Sequence, residues 1–71
     1  MKIGDYVNHK ILAGKYLILA DKENPKTQHK GAANEIIQLK KQYDFLIVGV
    51  EEGFNDFKHV FRDEIEPYKE N

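Results

Sequence analysis

GDYVNHKILAGKYLILAD, residues 4–21, decides the fold. Gly4-Asp5 is a turn dipeptide, and Ala13-Gly14 breaks the chain again. Lys2 to Ile11 therefore reads as a strand launched by the Gly4-Asp5 turn. Alternation puts Val7, His9 and Ile11 on one face and Tyr6, Asn8 and Lys10 on the other. The next run, KYLILAD (15–21), is apolar on both faces. That pattern predicts a central strand covered on two sides, or a strongly curved one. A helix is disfavoured because the run is short and lies between Gly14 and Pro25.

Outward from there, KENPKTQHKGAAN (22–34) has no useful period and reads as a long loop, either a spacer or a binding loop. EIIQLKK (35–41) is ambiguous: Ile36, Ile37, Leu39 and Tyr43 fit a helical stripe. The following FLIVGVE (45–51) is a strand, and KQYD between the two resembles a hairpin turn, which favours strand for both. FKHVFR (57–62) alternates Phe57, His59 and Phe61 against Lys58, Val60 and Arg62. A one-turn helix is expected near residues 63–66, with Asp63 as its N-cap, Ile65 plugging the core and Pro67 ending it. Residues 1–68 form one domain, and 69–71 a frayed tail.

Composition removes several classes of chemistry. The chain has 71 residues, so its core is small and its stability modest. It has no cysteine, no serine and one threonine, Thr27, so the usual acyl-transfer nucleophiles are missing. Absent thiols fit a reducing cytoplasm and forbid a disulfide staple or a thiolate zinc site. No apolar run approaches the ~20 residues that span a bilayer, and no leader-like segment opens the chain. Net charge is −1, distributed as +4 over residues 1–41 and −5 over 42–71. Folding can merge those halves into one mixed surface, so neither nucleic acid nor membrane is favoured by charge alone.

IGDYV (3–7) and FKHVFRDEIEPY (57–68), with short strands between, resemble the SH3-like small β-barrels, a group that includes Tudor and KOW modules. The resemblance covers nearly the whole chain. It implies an all-β, five-stranded SH3-like barrel with a long loop near residues 22–34 and a one-turn helix near residues 63–66. GDYVNH (4–9) followed by GKYL (14–17) also resembles the RNA-polymerase-interacting domain of the CarD and transcription-repair coupling factor family. Gly4, Asp5, Tyr6, Val7 and His9 match that pattern, whereas Leu12-Ala13-Gly14 replaces its Gly-x-Gly turn. This second resemblance implies docking on polymerase through an exposed strand edge. A polyproline-binding SH3 groove is not indicated, because the chain has no tryptophan.

The fold is shared by many unrelated binders, so function is read from side chains. In such a barrel His9 and His59 fall on neighbouring strands. Two histidines fall short of the usual ligand set, so ordinary half-buried strand histidines are the favoured reading over a metal site or a pH-sensitive pair. Glu51-Glu52 and Asp63-Glu64-Glu66 sit at turns, where carboxylates face water, so no catalytic residue is assigned and no enzyme activity or cofactor is expected. Lysines interleaved with Tyr6, Tyr16 and Tyr43 would suit nucleic acid. A single arginine and an acidic second half weigh against it. The favoured partner is another protein, met through an exposed strand edge and loops. Candidate contact residues are Tyr6, His9, Tyr16, Lys40, Lys41, Tyr43 and Phe54. The Lys-, Asn- and Ile-rich composition has a bacterial or phage character.

Overall fold

The computed structural model describes residues 1–28, 36–51, 53 and 55–69. Its strands are β1 (Tyr6–His9), β2 (Lys15–Asp21), β3 (Lys26–Gln28), β4 (Ile36–Gln38), β5 (Phe45–Gly49), β6 (Phe57–Val60) and β7 (Ile65–Pro67). A single 3-10 turn, Arg62–Glu64, is the only helical element among the described residues. Five strands form one antiparallel sheet in the order β6-β5-β2-β1-β7, and β3 pairs with β4 in a separate two-stranded sheet.

The inner face is built by alternation. Val7 lies opposite Tyr16, Ile18 opposite Ile47, and Phe45 opposite Val60. With Ile65 these residues make the main core. Ile65 is buried, as its isolation among polar neighbours predicts. A bulge between Ile18 and Ala20 shifts the register, so Ala20 pairs with Leu46 rather than facing the main core. Ala20, Leu46 and Leu39 form a second cluster, against which Ile37, Tyr43 and Phe57 pack. This second cluster explains FLIVG. All five residues of β5 are buried, Phe45 and Ile47 in the main core and Leu46 in the second cluster. In β2, by contrast, buried and half-buried positions alternate, so the strand covered on both sides is β5 and not β2.

Four further expectations change. First, residues 22–34 are not one loop, because Lys26–Gln28 is a strand. Asp21 Oδ1 accepts the Glu23 and Asn24 N–H groups at 3.0 and 2.8 Å and turns the chain toward it. Residues 29–35 lie outside the described part. Second, residues 36–38 are strand, but they pair with β3, not with β5. The KQYD segment is a turn, with Tyr43 N–H donating to the Lys40 carbonyl at 3.0 Å, yet it joins different sheets. Third, the turn near 63–66 is shifted back. Phe61 precedes it, and its N–H donates to Glu64 Oε1 at 3.1 Å, so Glu64 caps the turn and Asp63 does not. Ile65–Pro67 then pairs with β1 as a strand. Fourth, β1 stops at His9, and Ile11 is 86% exposed instead of sharing the inner face. Lys69 is held to β1 by its N–H donating to Asn8 Oδ1 at 3.4 Å, while residues 70–71 lie outside the described part.

Candidate binding groove and the histidine anchors

The candidate residues fall into separate places. Tyr16 is 5% exposed and lies in the main core, so it offers no ring face to a ligand. A Cβ at Gly49 would come within 3.7 Å of its ring, which shows how closely the ring crosses that strand. Tyr6 is 46% exposed, and its ring is used by the chain itself. Lys15 Nζ lies 4.4 Å from the Tyr6 ring centre and 4.5 Å from that of Tyr68. This cation–π pair fastens the residue after β7 to the start of β1 and β2. Phe54 lies outside the described residues.

His9 is a structural anchor. Its side chain is 6% exposed. Its Nδ1 accepts the N–H groups of Ile11 and Leu12, both at 3.1 Å, which bends the chain out of β1. Nε2 therefore carries the hydrogen and faces Glu64 Oε2 at 3.4 Å. The other Glu64 oxygen caps the 3-10 turn, and the Glu64 carbonyl accepts the Lys10 N–H at 2.8 Å. One imidazole thus joins the β1–β2 turn to the 3-10 turn.

His59 plays a similar part at the opposite side of the sheet. The two histidines are not on neighbouring strands, because β5 and β2 separate β6 from β1. The His59 Nδ1 accepts the Lys40 N–H at 3.3 Å, and its ring lies 5.8 Å from that of Tyr43. Burial, and secondarily the Lys40 ammonium, push its pKa below the ordinary 6.5. The unfolded chain then binds more protons than the folded one as pH falls past 6.5. This part of the stability is fully present above that value and is lost as pH falls through the folded-state pKa. Urea midpoints should therefore drop as pH falls below about 6.5, and His59→Phe should flatten that drop.

Tyr43, Lys40 and Lys41 do come together. They line a groove of about 330 Å³ with Lys22, Pro25, Gln38 and Leu39. Tyr43 stacks at 4.7 Å on Phe61, which is 43% exposed beside it. The backbone under the groove is bonded in series. Leu39 N–H donates to the Pro25 carbonyl at 2.7 Å, and the next residue donates to His59. Asp44 accepts the Arg62 N–H at 2.7 Å and faces Lys22 Nζ at 3.7 Å. Pro25 and Phe61 were not legible as neighbours of Tyr43 in the sequence, because the β2–β3 turn and the residue after β6 bring them to this place.

The β7 edge is poorly suited to strand addition. Lys10 N–H donates to Glu64, and Tyr68 N–H to Tyr6, so residues 64, 66 and 68 turn their backbone toward β1. Ile65 and Pro67 turn theirs away. The Ile65 N–H is taken by the Arg62 carbonyl, and proline has no N–H. The open side of β7 therefore presents no donor to an added strand. Nor is Tyr6–His9 an edge, since β1 lies between β2 and β7.

No family model matches the chain, and no curated protein or solved structure matches it. Its function is read from this geometry.

Proposed function

We propose that the chain is a non-enzymatic binding module, an SH3-like barrel that engages another protein in the cytoplasm. The barrel reading is supported by the order β6-β5-β2-β1-β7, in which four strands follow as a meander and the last returns beside the first after a 3-10 turn. The bulge in β2 is a further support, since closing a short sheet calls for a bend of that kind. A binding role rather than catalysis is supported by His9, both of whose nitrogens face structural partners, and by His59, whose Nδ1 accepts the Lys40 N–H. No cofactor enters this reading.

The observation that carries the partner surface is the groove beside Phe61. It is preformed, flanked by an exposed ring, and rich in lysine, whereas the β7 edge lacks donors. In this reading protein contact runs through the groove and its loops, since the strand-edge docking that the resemblance to the polymerase-interacting domain implies would find β7 without donors and β1 paired on both sides. A nucleic-acid-associated role has one supporting observation, Lys40 and Lys41 next to Tyr43 and Phe61. Tyr6 and Tyr16 do not join them, so no row of stacking rings extends along a strand.

A photoreactive residue at position 41 and, separately, at position 66 tests this in host lysate with and without nuclease. The expected result is a nuclease-resistant protein adduct from position 41 and none from position 66. Adducts from position 66 alone would move the surface to β7, and loss on nuclease treatment would make the module a nucleic-acid binder.

A further inference from the structure

Resting on that reading of the groove, we propose that its ligand is an acidic segment of the partner protein. Carboxylates would lie against Lys40 and Lys41, and one apolar side chain between Pro25 and Tyr43.

The argument is charge complementarity on a fixed apolar floor. The groove is lined by three lysines and no carboxylate, in a chain whose net charge is −1. Lys22 faces Asp44 at 3.7 Å, so part of its charge is already answered. Among the described residues no ion pair involves Lys40 or Lys41, and these two carry the unanswered charge. Their aliphatic stems, with Pro25 and Tyr43, leave apolar surface between the charges. A groove of about 330 Å³ lies at the small end of ligand sites, the size of a few peptide units rather than a folded domain. Leu39, Lys40 and Tyr43 are held by backbone bonds before any ligand arrives, which lowers the ordering cost of binding. Single-stranded nucleic acid shares the anionic character but needs open ring faces. The Tyr43 ring is engaged by His59 and Phe61, which leaves the half-exposed Phe61, among the described residues, as the one ring beside the lysines open to a base, too few for a stacked strand.

The test is an amide chemical-shift titration of the intact chain with three probes at low salt. They are an octapeptide alternating glutamate and leucine, the same peptide with lysine for glutamate, and octathymidylate. The expected result is shifts confined to residues 22–26 and 38–43 with the glutamate peptide and none with the lysine peptide. Octathymidylate should bind at least tenfold more weakly. The double variant Lys40→Glu, Lys41→Glu, with an unchanged urea midpoint, should lose the glutamate peptide at least tenfold and respond to the lysine peptide. Equal responses to both peptides, shifts outside the groove, or tighter binding of octathymidylate would each overturn the proposal. If position 41 still captures a protein while the glutamate peptide fails, the acidic ligand class falls and the protein-binding reading stands.

Discussion

Replacing Ile47 by alanine is expected to remove about a third or more of the stability of the fold. Ile47 is fully buried in the middle of β5, facing Ile18 across one pair and packed in the core that also holds Val7, Val60 and Ile65. Truncating such a side chain removes its transfer free energy and leaves a cavity, at a cost of about 3–4 kcal/mol. A domain of 71 residues has a total stability of roughly 4–10 kcal/mol. With a urea slope near 1 kcal/mol per molar, the midpoint should fall by about 3 M. Ile11→Ala is the matched control. Ile11 is apolar as well but almost wholly in solvent, so its loss should change stability by less than about 0.5 kcal/mol. Equal effects of the two variants would mean that the inner face has been assigned to the wrong residues.

His9→Ala is expected to cost about 2–3 kcal/mol, more than its modest size suggests. The imidazole is itself 6% exposed, accepts two backbone N–H groups and reaches Glu64, so its removal empties a packed position and takes away three polar contacts at once. The distinguishing readout is local. Amide exchange at Ile11 and Leu12 should accelerate well beyond the change in global stability, because their acceptor is gone. Glu64→Gln keeps an acceptor for the Phe61 N–H and should lose less, about 1 kcal/mol. If exchange at Ile11 and Leu12 follows only the global change, the imidazole is not what holds this turn.

His9 also shows where the sequence stops being legible. Alternation alone continues the first strand to Ile11, and nothing local says otherwise. The strand ends because the His9 imidazole competes for the next two N–H groups, a side-chain effect that periodicity does not register. The apolar runs behave differently. KYLILAD and FLIVG become β2 and β5 because their burial overrides every local alternative. Which of them is covered twice was not legible, since that depends on where the β3–β4 pair is laid. That pair was itself hidden, because KQYD is turn-like and invites pairing of residues 35–41 with the following strand. The observed partner, Lys26–Gln28, lies within a polar stretch of low strand propensity. Pro67 misled in the same way. It reads as a helix stop, yet it serves equally well on the outer side of an edge strand, where no N–H is required.

The site divides along similar lines. Lys40, Lys41 and Tyr43 are close in sequence and remain close in the fold. Tyr16 was equally plausible by residue type, but its parity on β2 places it opposite Val7 and inside. Tyr6, on the outer face, has its ring taken by Lys15, a contact between two strands that only the register reveals. Residue type thus nominates binding positions, and strand parity decides which of them reach solvent.

The most direct test of the central claim is an amide-exchange footprint of the intact chain with its captured protein partner bound. The groove account predicts slowed exchange over residues 38–43, with Ile65 to Lys69 unchanged. Protection over 65–69 with residues 38–43 unaffected would contradict it and return the contact to the β7 edge.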